Sequence, residues 1–140
     1  MEEELIEIQD YQGEGFRVLI SFGAWRVAVL RYLDEIQPEK NASLERHTQT
    51  DEVFILTQGR GVLILGGNGP RVEHLVLQPL AAGKVYNVRR DVWHTVLLSR
   101  DATVLIVENQ DTGTANTEYL PILPDLRQEL VIAAREAGID

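Results

Sequence analysis

The sequence predicts an all-β protein, a barrel or sandwich of short strands that ends in a single helix. Apolar segments of about five or six residues recur along the chain, and they are rich in Val, Ile, Leu and aromatic residues. Glycine-containing turns separate these segments at regular intervals, which is typical of sandwiches and barrels. Only the last part of the sequence changes to helical periodicity.

The predicted strands follow one another closely. A turn at residues 21–24 separates the first two strands, residues 37–43 form a loop around Pro38, and Gly59 lies in a hairpin turn. The strongest turn is Gly-Gly-Asn-Gly-Pro at residues 66–70. Strands are predicted at residues 16–20, 25–32, 53–56, 61–65, 72–77, 85–88, 93–98 and 103–107.

A helix is predicted over residues 125–137, after two closely spaced prolines. Its apolar residues recur at helical spacing, and Gly138 is placed to end it (Leu126, Leu130, Ala133, Ala134, Ala137). We therefore divide the chain into a barrel domain at residues 1–123 and a C-terminal helix at residues 124–140. The helix is expected to pack on the barrel or on a partner subunit.

Composition limits the possible functions. The 140 residues suit one domain with a substantial core, and 44% hydrophobic and 25% charged residues are ordinary for a globular protein. The net charge of −9 repels phosphate groups, so nucleic acid and membrane surfaces are not expected as partners. The absence of cysteine excludes thiolate chemistry. The acidic start lacks the pattern of a signal peptide, and a cytoplasmic location is predicted.

Two segments carry the residue types that bind divalent metals. The first, at residues 45–52, contains Glu45, His47 and Glu52, and the second, at residues 83–94, ends in His94. Residues two apart in a strand share a face, so Glu45 and His47 would both point into a barrel. Glu52 begins the next strand and His94 a later one. The four side chains are therefore expected to converge from rigid elements.

These segments resemble the paired motifs of the cupin superfamily. The first cupin motif is a His-x-His pair, then a Glu after three or four residues and a Gly after six more. Glu52 and Gly59 match this spacing, His47 falls on the second histidine, and Glu45 stands where the family has its first histidine. The resemblance covers roughly residues 40–110, and it implies a double-stranded β-helix, or jelly-roll barrel.

The second cupin motif is Gly, five residues, Pro-x-Gly, two residues and His. Gly83 and His94 match it at the expected separation, whereas Arg89 replaces the proline and Asp91 the glycine. The resemblance implies a mononuclear metal site in the barrel.

The ligand set has three open alternatives. Glu45 is a fourth ligand beside His47, Glu52 and His94, or it lies outside the ligand set and acts as a general base. Gln49 shares strand parity with Glu45, so it is a candidate weak ligand or supporting donor. Two carboxylates favour Fe(II) or Mn(II), with Zn(II) and Ni(II) also compatible.

Several other residues are candidates to line the pocket or to face the interior. Phe54 and Tyr86 lie on strands beside the proposed ligands and are candidates to line it, although aromatic residues on strands more often pack in a core. Arg26 and Arg31 differ in strand parity, so at most one of them faces the interior. Glu108 is interpreted as a polar residue at the end of the last strand.

The resemblance implies dioxygenase, isomerase, epimerase, decarboxylase or lyase chemistry on a small polar metabolite, without selecting among them. A non-catalytic binding or sensor module using the same pocket is the alternative, and a dimeric structural protein with a vestigial site is a third. The resemblance also implies a homodimer. Apolar residues near the N-terminus would be exposed at an edge of an isolated barrel (Leu19, Ile20, Phe22, Trp25).

Overall fold

A computed structural model describes residues 5–139, so the acidic residues 1–4 and Asp140 lie outside the described part. It confirms the predicted all-β fold with one C-terminal helix. The ten strands are β1 Gly15–Phe22, β2 Trp25–Arg31, β3 Ser43–His47, β4 Glu52–Gln58, β5 Gly61–Leu65, β6 Val76–Pro79, β7 Val85–Val88, β8 His94–Leu98, β9 Thr103–Asn109 and β10 Thr117–Pro121. The helix α1 spans Pro124–Glu136.

Two five-stranded antiparallel sheets form a jelly-roll barrel. The strand order is β1-β2-β9-β4-β7 in the first sheet and β10-β3-β8-β5-β6 in the second. From β2 to β5 and from β6 to β10, each successive strand lies in the opposite sheet. This crossing places β3 and β4 on facing sheets, and that determines the position of the site. No helix within residues 5–139 has the length and apolar character needed to cross a membrane.

The main core lies between the sheets. Strand alternation explains it, because every second residue of β4, β8 and β9 points inward. The interior contains buried aliphatic and aromatic side chains from both sheets (Ala28, Phe54, Leu56, Leu63, Leu80, Val88, Val96, Leu98, Ala102, Val104, Ile106).

Helix α1 covers the outer face of the second sheet. Leu130, Ala133 and Ala134 are buried in a second cluster with Leu97 and Trp93. Leu97 alternates with the inward-facing Val96 and Leu98, so this cluster lies on the opposite side of the sheet from the main core. Gly138 adopts φ of +74° just after the helix, as expected for a residue that ends a helix.

Two strand predictions differ from the structure, and both concern edge strands. β10 was not predicted, because Thr-Glu-Tyr-Leu-Pro contains two polar residues and a proline. An edge strand tolerates these residues, since one side of it makes no ladder hydrogen bonds. β6 spans Val76–Pro79, not residues 72–77, and it is also an edge strand that pairs only with β5.

Candidate functional site

Four side chains converge at one end of the barrel interior. Glu45 and His47 come from β3 and His94 from β8 in the second sheet, while Glu52 comes from β4 in the first. Each offers one ligand atom, and these four atoms all lie within 4.8 Å of one another. His47, Glu52 and His94 are buried, whereas 38% of the Glu45 side chain is exposed.

The carboxylate of Glu52 lies between the two histidines. Its Oε1 atom is 3.0 Å from Nε2 of His47 and 2.9 Å from Nε2 of His94. The two imidazole rings meet edge to face with centroids 5.3 Å apart. Oε1 of Glu45 is farther away, at 3.7 Å from Nε2 of His47 and 4.0 Å from Nε2 of His94.

The hydrogen bonds of His94 determine what must lie between its Nε2 atom and Oε1 of Glu52. Its Nδ1 lies 2.9 Å from the main-chain oxygen of Val92, which can only accept, so Nδ1 carries a hydrogen and donates it. In a neutral imidazole Nε2 then has only a lone pair, which would face the Glu52 carboxylate at 2.9 Å. Two acceptors this close repel each other. The cluster therefore requires a cation, either a proton on Nε2 or a metal ion.

His47 is oriented by a side chain that the sequence did not indicate. Its Nδ1 lies 2.9 Å from the hydroxyl of Thr117, which comes from β10 and is buried. A hydroxyl can donate or accept, so this contact fixes the ring without fixing its tautomer. Supporting contacts of this kind at the second ring nitrogen orient metal-binding histidines.

The electrostatics of the cluster favour a cation. Burial opposes the charged form of each histidine, but the hydrogen bond and charge of Glu52 outweigh it and raise the pKa of His47 and His94 above 6.5. Burial also opposes ionisation of Glu52, yet hydrogen bonds to both histidines hold the pKa of Glu52 well below its usual range. Burial raises the pKa of Glu45. The site thus keeps positive charge beside an ionised carboxylate.

The donor set suits a metal ion as well as protons. Two imidazole nitrogens and carboxylate oxygens are ligands for divalent first-row metals, which bind at about 2.0–2.2 Å in the case of zinc. An ion at the centre of the cluster would replace the protons that the Nε2 atoms otherwise need. His47, Glu52 and His94 would hold it, with Glu45 close enough to join them.

The cluster opens into a cavity of about 400 Å³ inside the barrel. Phe54 lines this cavity, as the sequence suggested, and its ring lies 6.1 Å from that of His94, edge to face. Tyr119 and Phe16 also contribute to the walls. The four candidate ligands therefore face a space large enough for a small metabolite.

Gln49 does not face this cavity. β3 ends at His47, so strand alternation does not continue to Gln49, which lies in the connection to β4. Its main-chain oxygen accepts a hydrogen bond from the side chain of Asn109, and it lines a groove on the outside of the barrel. The expectation that Gln49 shares a face with Glu45 is thus corrected.

Tyr86 also lies elsewhere. It points inward from β7, the outermost strand of the first sheet, and packs against the main core. Its hydroxyl accepts a hydrogen bond from the main-chain N–H of Ala81, and it lines a different cavity with Leu63 and Val88. Although Tyr86 stands directly opposite Phe54 on the neighbouring strand, it lines this other cavity and not the one that contains the cluster, so the expectation that Tyr86 lines the metal-site pocket is corrected.

An ion pair that the sequence did not indicate lies in the cavity wall. Glu108 is buried, and its Oε2 accepts hydrogen bonds from Nε and Nη2 of Arg26 at 3.1 and 2.7 Å. Burial, together with the charge of Glu52, raises the pKa of Glu108 to about 7 despite this pairing. The available signal was strand parity, because Glu108 follows the inward-facing Val104 and Ile106 at steps of two.

Solved structures share this fold. A cupin-2 domain protein from Shewanella frigidimarina is 19% identical with a TM-score of 0.51, covering 72% of this chain and 85% of that one. Pac13, described as a nucleoside dehydratase, is 8% identical with a TM-score of 0.53, covering 79% and 82%. A variant of Streptomyces PAC13 with uridine is 9% identical with a TM-score of 0.55, covering 85% and 87%.

Sequence comparison adds nothing to this result, since no protein-family model matches and no curated protein matches. The barrel, the two five-stranded sheets and the structural neighbours together define a small protein of the cupin fold. The predicted resemblance to cupins is thereby confirmed.

Proposed function

We propose that this protein binds one divalent metal ion inside its barrel and uses that site to bind or transform a small polar metabolite. His47, Glu52 and His94 hold the ion, and Glu45 is the fourth ligand or the general base. The convergence of four ligand atoms within 4.8 Å of one another carries this proposal, because two imidazoles and two carboxylates form a donor set for a divalent metal.

Two carboxylates beside two imidazoles suit Fe(II) or Mn(II), and Zn(II) or Ni(II) are also compatible. When bound, the ion would supply Lewis acidity toward an oxygen of the ligand. Glu45 is the most exposed of the four residues and lines the cavity. Burial raises the pKa of Glu45, which makes its ionised form a stronger base.

The cavity suits a compact polar ligand. Its volume of about 400 Å³ lies within the usual range for small-molecule sites. Polar residues from both sheets line it alongside Phe54 and Ile106. A structural neighbour with the same fold was solved with uridine, which supports a ligand of metabolite size without identifying it.

Metal content of protein purified without an affinity tag tests the first part of this proposal. We expect about one equivalent of a divalent first-row metal, or its uptake on reconstitution under reducing conditions. A protein that takes up no such ion contradicts the proposal. Metal-loaded protein is then screened against small hydroxyacids, carboxylic acids and sugars for turnover and for a rise in Tm, because ligand binding stabilises the native state. A rise in Tm without turnover assigns the pocket to binding.

We also propose that the protein is a homodimer that pairs through the outer face of its first sheet. Phe22 and Trp25 end β1 and begin β2, and they are 74% and 44% exposed. Val85 on β7 is 66% exposed at the opposite edge of the same sheet. Large apolar side chains exposed along one sheet are typical of an interaction surface.

A further inference from the structure

The Arg26–Glu108 ion pair lies in the cavity wall and is not part of the four-residue metal cluster. Both residues point inward, from the paired strands β2 and β9 of the first sheet, where they are directly opposite each other. Only 3% of the Glu108 side chain is exposed. A carboxylate this deeply buried is costly unless all of its hydrogen-bonding capacity is used.

Only one of the two oxygen atoms of the Glu108 carboxylate has hydrogen-bond partners. Oε2 of Glu108 accepts both hydrogen bonds from Arg26, whose guanidinium also donates to the main-chain oxygens of Gln110 and Thr112. Oε1 of Glu108 has no hydrogen-bond partner within residues 5–139, and no other buried side-chain atom of those residues shares this condition. An orphaned buried acceptor costs about 1–3 kcal/mol. Glu108 lines both the interior cavity and the groove that contains Gln49, and because Arg26 and Glu108 point inward, the interior cavity is the side from which a partner can reach Oε1.

Both protonation states of Glu108 require the same kind of partner. When ionised, Oε1 needs a hydrogen-bond donor, and when protonated, its O–H needs an acceptor, because Oε2 is taken by Arg26. A hydroxyl group is a donor and an acceptor at once, so it satisfies either state. A carboxylate ligand fits only the protonated state.

The charges around the cavity select a neutral ligand. Arg26 is the one Lys or Arg side chain that lines it within the part of the chain the structure describes, and its charge is matched by Glu108. The remaining carboxylates, Glu45 and Glu52, would be matched by a divalent ion. No cation is left over to bind an anionic group away from the metal.

We propose that Glu108 is a ligand-contacting, specificity-determining residue, and that its Oε1 atom binds a hydroxyl group of a neutral polyhydroxylated molecule. This inference rests on the proposed function, since the same molecule would occupy the cavity beside the metal. Arg26 positions Glu108, because its two hydrogen bonds to Oε2 leave Oε1 as the free atom.

Glycerol and formate, soaked into crystals, are matched probes of hydroxyl and carboxylate recognition. In the wild-type protein we expect a glycerol hydroxyl on Oε1 of Glu108 at hydrogen-bond distance and no formate there. Glu108→Gln changes this preference, because its amide oxygen must accept from Arg26 and its NH₂ group then faces the cavity. We expect formate to bind at the amide, and glycerol affinity to fall about fivefold, because a glycerol hydroxyl can still accept from the NH₂ group and only the charge assistance of its hydrogen bond is lost.

Glu118→Gln is the matched control. Glu118 also pairs with an arginine, Arg46, at 2.8 Å, but it is 53% exposed, and neither residue lines the cavity. This variant should bind glycerol like the wild type. A wild-type cavity that holds only water on Oε1 after the glycerol soak overturns the inference, as does formate bound there or a Glu108→Gln variant that binds glycerol as tightly as the wild type.

Metal content separates this inference from the proposed function. Glu108 is not among the four candidate ligands, so Glu108→Gln should retain as much metal as the wild type. If no form of the protein binds metal, the proposed function fails, while the position of glycerol still tests the role of Glu108. If metal is retained and glycerol avoids Glu108, only the present inference fails.

Discussion

Glu45 and His94 stand directly opposite each other on the antiparallel strands β3 and β8. Cross-strand partners point to the same face, so a carboxylate at position 45 reaches the site without any distortion of the strand. Its Oε1 lies 4.0 Å from Nε2 of His94. The glutamate at the position of the first cupin histidine therefore keeps a potential ligand in place while replacing a neutral ring with a charge.

Removing either histidine should abolish metal retention. We expect His47→Ala and His94→Ala to leave the fold largely intact, because the core consists of aliphatic side chains elsewhere between the sheets. Elemental analysis of the purified variants measures the loss. His74→Ala is the control, since His74 is exposed and absent from the cluster, and it should retain the metal. Full metal content in His94→Ala would contradict the proposed ligand set.

Glu45→Gln distinguishes the two roles open to that residue. If Glu45 only supports the site, the substitution should weaken metal binding by about 10–100-fold, as the loss of a supporting group does. If it is the fourth ligand, metal retention should fall as far as in the histidine variants. Competition with a chelator of known affinity measures the difference. Unchanged metal affinity together with lost turnover would assign Glu45 to proton transfer alone.

The metal-free protein should lose stability as pH rises above 6.5, the ordinary pKa of histidine. The pKa values of His47 and His94 are raised above 6.5 in the folded state, so the stabilisation from their charged forms is complete below pH 6.5. It is lost as pH rises through the higher folded pKa values, because the unfolded chain then binds fewer protons than the native state. Thermal unfolding between pH 6 and 9 measures this fall.

Metal-loaded protein should lack this fall, because the ion replaces the protons. Glu108 affects folding stability at lower pH than the histidines do. Its pKa is raised from 4.5 to about 7, so its ionisation lowers the stability of the folded state as pH rises between these two values. The Glu108→Gln background removes this contribution and leaves His47, His94 and Glu45 as the cluster residues with a raised pKa. A metal-free protein of this background whose Tm is constant from pH 6 to 9 would show that the histidines are neutral in the cluster.

The turn before His94 stores strain at Asp91, which has φ of +70° where the cupin motif has glycine. Non-glycine residues in this conformation cost about 1–3 kcal/mol, with aspartate and asparagine tolerated best. We expect Asp91→Gly to raise the free energy of unfolding by about 0.5–1 kcal/mol and Asp91→Val to lower it by more than about 1 kcal/mol. Asp91→Asn should change little. Urea unfolding of metal-free protein measures all three, and equal effects of Gly and Val would contradict the assignment of strain.

The dimer should dissociate when its apolar surface is made polar. We expect light scattering to give a dimer mass for the wild type at micromolar concentration and a monomer mass for Phe22→Ser combined with Trp25→Ser. Ile132→Ser is the control, because Ile132 is a comparably exposed apolar residue on α1, against the other sheet. A monomeric wild type, or a double variant that stays dimeric, would contradict pairing through the first sheet.

Strand periodicity predicted a sandwich or barrel, while the resemblance to the cupin motifs implied the jelly-roll fold, and strand parity supported the convergence of the four candidate ligands. Glu45 and His47 share a face because β3 is a regular strand, and the separation of Gly83 from His94 matched a known motif. The prediction that Gln49 shares a face with Glu45 was wrong, because the end of a strand cannot be located from polar residues alone. Strand parity would also have placed Glu108 in the interior, but Glu108 was interpreted as a polar residue at the end of the strand, whereas β9 continues to Asn109.

Contacts between distant strands could not be predicted in the same way. Thr117 supports His47 from an edge strand that lacks a strand-like composition, and 70 residues separate the two in sequence. Arg26 and Glu108 are 82 residues apart, and their pairing depends on the register of β2 against β9. Periodicity shows which face a residue occupies, but it does not show which strand lies beside it.

The cluster also joins the two halves of the barrel. Glu52 belongs to the first sheet and both histidines to the second, so the hydrogen bonds at 2.9 and 3.0 Å span the gap between the sheets. They add a polar link between the sheets to the apolar core that also joins them. An ion or protons bound by the cluster would therefore stabilise the contact between the two sheets. Metal supply would then govern how long the protein survives proteolysis as well as what its cavity can bind.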